Sequence, residues 1–558
     1  MHADLAETGS IPDSRGINIY RADGDAALLF AHYLPNDLFV HLEPIFDRLG
    51  ALAGDRLDQL ASIADKNPPI LSVRGRTGED CNRIEKHPAY VELERFAFAD
   101  FALAAISHRG ALGWNEPMPP AAKYALTFLF TQSEFGLMCP VSMTDTLTGT
   151  LKRFGDKQLV ERYFGNLTST DLDHLMQGAM FMTEQIGGSD VGAITTSAAI
   201  QTDGTWRLTG DKWFCSNADA DLAMVLARSE NLGGLKGLSL FLLPKMKSDG
   251  SPNNYRILRL KDKLGTRSMA SGEIRLEGAE AYLVGERGRG FNQMADMVNS
   301  SRLSNAVRAA ALMRRAVTEA LFFACRRHAF GKRAIEFPLM RRQLAKMLVC
   351  AEQARTMFFL TAEAMRLADS GDAGQAKLLR IMTPLIKFRA CRDARKVTGD
   401  AMEVRGGCGY IEEWSDPRLL RDAHLGSIWE GTSNIVALDV RRAIMREGSL
   451  PQLRAANMRR LEEASLEPRL HSTLAETLGR TCAFAEDIAP GKDERFVRQA
   501  ASALYHVTSA IGLAHEAVKI GAPHRLALAR LVLKHRLLPR DPLARDDDED
   551  MLSAILES

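Results

Sequence analysis

Apolar residues change their spacing twice along this chain. In the first third, VELERFAFADFALAAISHRGALGW sets apolar positions on a helical period, with no turn chemistry before Gly110. KYALTFLFTQSEFGLMCPVSM is apolar enough to predict a buried helix that breaks at Pro140. NPPILSV carries paired prolines and predicts a loop. Between 179 and 285 the pattern becomes short and partly alternating. WRLTGDKWFCSN, DLAMVLARS, GLSLFLLPK, YRILRL and GEIRLEGAEAYLVG are separated by Gly, Asp, Asn and Pro, which predicts antiparallel strands. From Gly290 the helical period returns. Met340, Leu344, Met347, Ala351, Ala354 and Phe358 step by three and four along one face of a long helix. KLLRIMTPLIKFRACRDARKVTGDAMEVRGGCGY predicts a second long helix ending in a Gly-rich turn. IVALDVRRAIMRE predicts a third, capped near Thr432 and Ser433.

The chain has 558 residues, more than one core holds, so about two to four domains are expected. The pattern divides it into a helical region 1–178, a β region 179–285, a helical region 286–446, a further helical region 447–540 and an acidic tail 541–558. Hydrophobic residues make up 46% and charged residues 25%, a globular balance. The formal net charge of +1 gives no global field toward nucleic acid or membrane, so such a partner needs a local patch. Residues 441–540 offer one, with 17 Lys and Arg against 10 Asp and Glu. Its candidate DNA contacts are Arg441, Arg442, Arg454, Arg459, Arg460, Arg525, Arg530, Lys534, Arg536 and Arg540; the bland alternative is a solvated helical face. The run DDDED at 546–550 reverses the sign.

Eight cysteines are scattered, with no CxxC and no His/Cys spacing for zinc, so reduced thiols and no metal are expected. MHADLAETGSIPDSRG is polar and has no apolar signal core, and no apolar run approaches the roughly 18 residues of a membrane span. A cytoplasmic location is the expectation.

Four stretches carry candidate chemistry. FMTEQIGGSDVGAITTSA (181–198) offers hydroxyls, free N–H groups and close backbone approach, suited to a phosphate or a flat cofactor ring, or else it is a plain turn. In GDKWFCSNADA (210–220) alternation places Phe214 and Ser216 on one side and Trp213 on the other, so one aromatic packs in the core and one lines a cofactor, or both are core. RRHAFGKR (326–333) is a phosphate clamp or a solvated helix end. RGGCGY (405–410) is a helix cap or a place where backbone meets a ligand. GERGRGF (285–291) follows no βαβ pattern and is not a dinucleotide fingerprint; it predicts a turn into a helix.

In this order, together with LKDKLGTRSMASGEIRLEGAEAYLVG, EVRGGCGY and IWEGTSNI, these stretches resemble the acyl-CoA dehydrogenase flavoprotein family. The resemblance covers residues 20–446 and is nearest to the AidB-type branch, which is linked to the response to DNA alkylation. It implies a mainly α fold with a small middle β domain: an N-terminal helical domain, a β-barrel or sandwich, a C-terminal four-helix bundle and an extra C-terminal helical domain. It implies a homotetramer with FAD at the subunit interfaces, and in this branch a basic helical domain associated with duplex DNA.

The resemblance also implies roles. Met180, the backbone of Met182, and Thr183 match the loop at the flavin pyrimidine edge. Gly188 and Ser189 match a stretch near the pyrophosphate and substrate. Phe214, Cys215 and Ser216 match the strand beside the flavin, Ser216 approaching N5. Arg327, Phe330, Gly406 and Gly407 match a clamp on a neighbouring subunit's FAD. Ile428, Trp429, Gly431, Thr432 and Asn434 match residues around the ring and the pyrophosphate. Glu430 matches the catalytic base that takes the α-proton of an acyl thioester. The chain departs from the family pattern at Gln185, Phe214, Ser216, Ala270, Gly272 and Glu403. The expected activity is an FAD-dependent acyl-CoA dehydrogenase passing electrons to an electron-transferring flavoprotein. The alternatives are a flavoprotein that binds and protects duplex DNA, and an acyl-CoA oxidase.

Overall fold

The computed structural model describes residues 10–491, 493–545 and 547–557. The first nine residues of the polar N-terminal segment, Asp546 of the acidic run and the last residue of the tail lie outside the described residues. The chain divides into two compact units. One holds Gln59–Met118 and Glu134–Ser301; the other holds the chain up to Asp58, Pro119–Ser133 and the chain from Arg302 onward. The N-terminal helical region is therefore shared between the units, and the region after 447 belongs with the helices that precede it.

The first unit is built on a seven-stranded sheet. The expected strands form at Trp206–Ser216, Leu222–Arg228, Leu238–Pro244, Tyr255–Leu260 and Ser271–Val284. Two more, Gly178–Phe181 and Ser197–Ile200, flank the Gly/Ser loop. Pairing is mostly antiparallel, but Gly178–Phe181 runs parallel to Leu222–Arg228. The Leu222–Arg228 strand also meets Ser197–Ile200 and Leu238–Pro244, so the strands close into a ring. Trp206, Leu208, Cys215, Val225, Phe241 and Ile274 fill the interior. Leu238–Pro244 is buried at every position, which is why its sequence is apolar throughout rather than alternating.

Three expectations in this unit change. NPPILSV is not a loop: Ile70–Arg74 pairs with Asp80–Glu85 as a hairpin, and that partner lies outside the local window. The break near Pro140 falls earlier. The helix Met138–Phe154 begins before Pro140, which occupies the first turn, where a missing N–H breaks no bond. The helix over VELERF also ends early. Pro88–Glu94 passes into a π-turn at Arg95–Asp100, and Ala102 with φ +48° stops it.

The second unit contains Pro338–Asp369, Ala373–Arg405 and Ser433–Glu447, together with the later part of Gly290–Arg326. Leu450–Glu463, Pro468–Ile488, Val497–Lys519 and Pro523–Val532 follow. Apolar spacing predicted one buried face for Pro338–Asp369, yet every residue from Met347 to Ala362 is buried. The polar face is covered through ionic bonds. Arg355 binds Asp23 and Glu352, each at 2.5 Å. Arg525 binds Asp25 at 2.6 Å, Glu352 at 2.8 Å and Glu516 at 2.6 Å. Gln353 Nε2 donates to Ser509 Oγ at 2.7 Å.

The acidic run is not a free tail. Asp548 accepts from Lys534 Nζ at 2.6 Å and pairs with His535 at 2.9 Å. Glu549 starts the helix Glu549–Leu556 and binds Arg341 at 2.7 Å. Opposite charge close at hand folds the segment back.

Candidate functional site

The candidate residues lie on both units: the 181–198 loop and its neighbouring strand on one, the Glu430 turn, the Phe330 hairpin and Gly406/Gly407 on the other. In the β-bearing unit, the 181–198 loop is shaped by Glu184, a residue the sequence reading passed over. Its carboxylate receives Lys212 Nζ at 2.8 Å, Thr195 N at 2.6 Å, Thr196 N at 3.1 Å and Thr196 Oγ1 at 2.5 Å. Burial alone would raise the Glu184 pKa, but Lys212 and these bonds hold it down to about 2. The loop therefore keeps a defined shape without the family's proline. Met180, Met182 and Thr183 are half-buried at its start, and Gly188 and Ser189 are exposed. The Thr183 carbonyl accepts from Trp213 N at 2.8 Å, tying the loop to the neighbouring strand.

That strand does not alternate as expected. Its register with Ser271–Val284 shifts between Lys212 and Cys215, a bulge. Lys212 and Cys215 both point inward, and Trp213 and Phe214 both lie outside the core. Phe214 is 57% exposed, so neither aromatic is a core residue. The Lys261 ammonium stands 3.4 Å from the Trp213 ring centre and 4.9 Å from that of Phe214. Cys215 is fully buried and its thiol is pushed far up by burial, so only its backbone is available to a ligand beside this strand. Ser216 is half-buried, 3.5 Å from Ser271 Oγ.

In the helical unit, Glu430 lies on the turn before Ser433–Glu447 with φ +57°, a left-handed conformation that costs a non-glycine residue. Its backbone is held from both sides. Arg302 Nε donates to the Glu430 carbonyl at 3.0 Å. Lys387 Nζ donates to the carbonyls of Trp429 at 2.8 Å and Gly431 at 2.5 Å. Burial lowers the Lys387 pKa, although the nearby Glu430 carboxylate opposes that. The Arg308 guanidinium sits 5.0 Å from the Trp429 ring centre. Asp439 binds Arg302 at 2.8 Å and Arg380 at 2.7 Å, and these cations keep its carboxyl low against its burial.

Thr432 is the N-cap of the next helix but makes no side-chain cap bond, contrary to the expected role. Its hydroxyl stands beside a helix N-terminus, where anions are favoured. Three arginines collar the same turn. Arg392 reaches Ser433 Oγ at 3.3 Å, Arg395 reaches Ser427 Oγ at 3.3 Å, and Arg498 reaches Asn434 Oδ1 at 3.4 Å. Burial, then mutual repulsion with Arg498, Arg389 and Arg395, depresses the Arg392 pKa. Lys387, Arg392 and Arg395 were missed by sequence reasoning; their signal is the basic spacing in KFRACRDARK. Ile428 is 58% exposed at the start of the turn.

RRHAFGKR ends a helix and then forms a two-strand hairpin, His328–Ala329 against Lys332–Arg333. Phe330 and Gly331 are its tip, with φ +51° and +78°, the signs of a type I′ turn. Phe330 is 97% exposed, and Arg327 is exposed beside it. Gly406 has φ +69°, and among the described residues no atom beyond the adjoining backbone lies within 4 Å of where a Cβ would stand on Gly406 or Gly407. These bare backbones, the uncapped Thr432 and the arginine collar fit the phosphates and ring edge of a dinucleotide flavin.

The basic patch of the C-terminal region is smaller than the sequence suggests. Arg525 is fully buried in the ionic network and presents no surface to DNA. Lys534 is bound by Asp548, Arg530 by Glu467 at 2.9 Å, and Arg442 by Asp439 at 3.1 Å. Arg441 Nε donates to the Ala489 carbonyl at 2.8 Å, and Arg536 leans on Cys350 at 3.9 Å. Arg460 is half-buried, while Arg454, Arg459 and Arg540 are exposed. Among the described residues no cluster of His, Cys, Asp and Glu forms a metal site, and no helix is long and apolar enough to cross a membrane.

Residues 12–174 match the adaptive response protein AidB N-terminal domain, 179–279 the acyl-CoA dehydrogenase middle domain and 288–445 the acyl-CoA dehydrogenase C-terminal domain. The AidB protein of Escherichia coli (strain K12) is 35% identical over 424 residues, covering 74% of this chain and 75% of that one. Acyl-CoA dehydrogenase family member 11 of Caenorhabditis elegans is 32% identical over 441 residues, covering 76% and 70%. The crystal structure of Caenorhabditis elegans ACDH-11 in complex with C11-CoA superposes with a TM-score of 0.89 at 27% identity, covering 97% of this chain and 95% of that one. The chain belongs to the acyl-CoA dehydrogenase family of FAD-dependent flavoproteins, and within it resembles the AidB branch.

Proposed function

We propose that the protein is an FAD-dependent acyl-CoA dehydrogenase in which Glu430 removes the α-proton of an acyl thioester. The observation that carries this reading is the clamped turn at Glu430, where Arg302 and Lys387 bind three successive carbonyls around a left-handed residue. FAD, when bound, would accept the β-hydride. In the helical unit Thr432, Asn434 and the Arg392 collar would suit its phosphates; in the β-bearing unit Thr183, Phe214 and Ser216 would suit a flavin ring. Arg327, Phe330, Gly406 and Gly407 act across a subunit interface in a homotetramer, which gives the exposed Phe330 a partner. Fixing one carboxylate beside its proton is typically worth about 10²–10⁴ in rate. Trp429 would pack near the flavin ring and exclude water there. The relative solved with C11-CoA supports an acyl-CoA substrate. An electron-transferring flavoprotein is the proposed acceptor and the cytoplasm the proposed location.

Glu430→Gln tests the assignment under anaerobic conditions. The variant retains FAD but its flavin band is not bleached by the acyl-CoA that bleaches the parent. Bleaching at the parental rate would falsify the role of Glu430. Rapid hydrogen peroxide release in air would identify an oxidase instead. Duplex-DNA protection retains Arg442, Arg454, Arg459, Arg530, Arg536 and Arg540 as exposed candidates of the original patch, and salt-dependent titration with duplex DNA tests it.

A further inference from the structure

One buried carboxylate links the turn that carries Glu430 to two other helices of the helical unit. Asp439 lies on Ser433–Glu447, downstream of that turn, and is only 5% exposed. Its Oδ2 binds Arg302 Nη1 at 2.8 Å. Its Oδ1 binds Arg380 Nη2 at 2.7 Å and Arg442 Nη1 at 3.1 Å. Burial would raise its pKa, but Arg302, then Arg380 and Arg442, outweigh that and keep the carboxyl low.

Two of these cations lead to the clamps on Glu430. Arg302, on Gly290–Arg326, gives Nη1 to Asp439 and Nε to the Glu430 carbonyl at 3.0 Å. A guanidinium is planar, so anchors at two of its nitrogens fix its plane. A Cβ added to Gly431 would stand 3.4 Å from Arg302 Nη2, so that plane lies close against the turn. Arg380 shares Ala373–Arg405 with Lys387 and precedes it by about two helical turns, on the same face. Between them Pro384 has no N–H to give to the Arg380 carbonyl, which weakens the helix just before the lysine clamp. Arg380 is held instead from outside its helix, by Asp439 at 2.7 Å and Glu447 at 2.9 Å. A left-handed glutamate persists only where its surroundings enforce it, and Asp439 connects to both groups that do so.

We propose that Asp439 is a positioning residue of this site: it orients Arg302 and anchors the Lys387 helix through Arg380, and so fixes where the Glu430 carboxylate stands. It acts through these two arginines and not on the substrate itself. The hold on the turn stands on geometry alone; its consequence for rate rests on the reading of Glu430 as the base.

Asp439→Asn keeps the side-chain shape and removes the charge. Backbone amide exchange of the full chain as purified, resolved by peptide mass spectrometry, reads the turn without any substrate. The expected result is exchange about tenfold or more faster across residues 428–432, with peptides of Val497–Lys519 at parental rates. Anaerobic flavin bleaching then separates binding from chemistry. The rate at saturating acyl-CoA falls by about tenfold to a hundredfold, while the acyl-CoA concentration for half the maximal rate stays near parental. Asp439→Glu keeps a carboxylate and recovers part of both losses. Combining Asp439→Asn with Arg302→Gln costs much less than the product of the two single losses, because the two residues act as one chain. Parental exchange across 428–432 in Asp439→Asn overturns the proposal. Faster exchange spread evenly over the unit does the same, since it marks a folding defect. So does a loss confined to acyl-CoA affinity, or single losses that simply multiply. A loosened turn in Asp439→Asn, together with parental bleaching by Glu430→Gln, supports the hold on the turn and overturns the reading of Glu430 as the base.

Discussion

Lys387 grips the backbone on both sides of Glu430, bonding the carbonyl of Trp429 at 2.8 Å and that of Gly431 at 2.5 Å. A left-handed glutamate is held by its surroundings, and Lys387 supplies two of the three bonds described. Lys387→Met keeps the stem length and removes both. Glu430 then samples other backbone conformations, and a carboxylate displaced by about 1 Å loses roughly 100-fold in rate. The expected outcome is slow flavin bleaching by acyl-CoA with FAD content and substrate affinity near parental values. A parental bleaching rate would make the lysine irrelevant to positioning.

Phe330 tells a different story through its conformation. Type I′ turns favour Asn-Gly, and this one is Phe-Gly with the ring almost wholly in solvent. Phe330→Asn relieves the turn, so the monomer's melting temperature holds or rises by the effect of a few tenths of a kcal/mol. If the ring reaches a neighbouring subunit's cofactor, the same change lowers the flavin-to-protein ratio after gel filtration. Full flavin retention would leave the exposed ring without the role proposed for it.

Much of the fold is legible in the chain, and the exceptions share one cause. Tyr255–Leu260 and the middle of Ser271–Val284 alternate because one face is buried, and local pattern reveals that. Trp213 and Phe214 misled because a bulge breaks the alternation between Lys212 and Cys215, and a bulge is set by the partner strand. Pro338–Asp369 showed one apolar face; its other face is buried with charges whose partners lie hundreds of residues away, such as Asp23 and Arg525. Glu430 was found through the IWEGTSNI stretch, whereas Lys387, Arg302 and Arg498 meet that turn only after folding. The acidic run read as a tail because the cations that fold it back, Lys534 and Arg341, belong to other elements.

Arg525 separates a structural from a DNA-contacting role. It is sealed from solvent among Asp25, Glu352 and Glu516. Arg525→Met leaves these carboxylates undercompensated, and breaking a buried pair from one side costs about 3–5 kcal/mol. Urea unfolding should show the unfolding free energy falling by that amount, as a lower midpoint with an unchanged slope. An exposed DNA contact would instead leave unfolding untouched and weaken duplex binding.

Glu184 gives the first unit an acid-side sensitivity. Its pKa falls from 4.5 to about 2 on folding, so the folded state favours the charged carboxylate. The stabilisation is complete above the unfolded value of 4.5 and is lost as pH drops through about 2. At most about 3 kcal/mol follows from a shift of that size. Burial depresses the pKa of its partner Lys212, which opposes part of that gain. Glu184→Gln removes the titrating group and leaves Lys212 buried without its counter-ion. The variant is therefore less stable at neutral pH, and the gap to the parent narrows as the pH falls from 4.5 toward 2. Chemical denaturation across that range, followed by tryptophan fluorescence, to which Trp206 and Trp213 contribute, measures the gap. A gap that stays constant with pH would mean that Glu184 is not the group whose charge holds the loop.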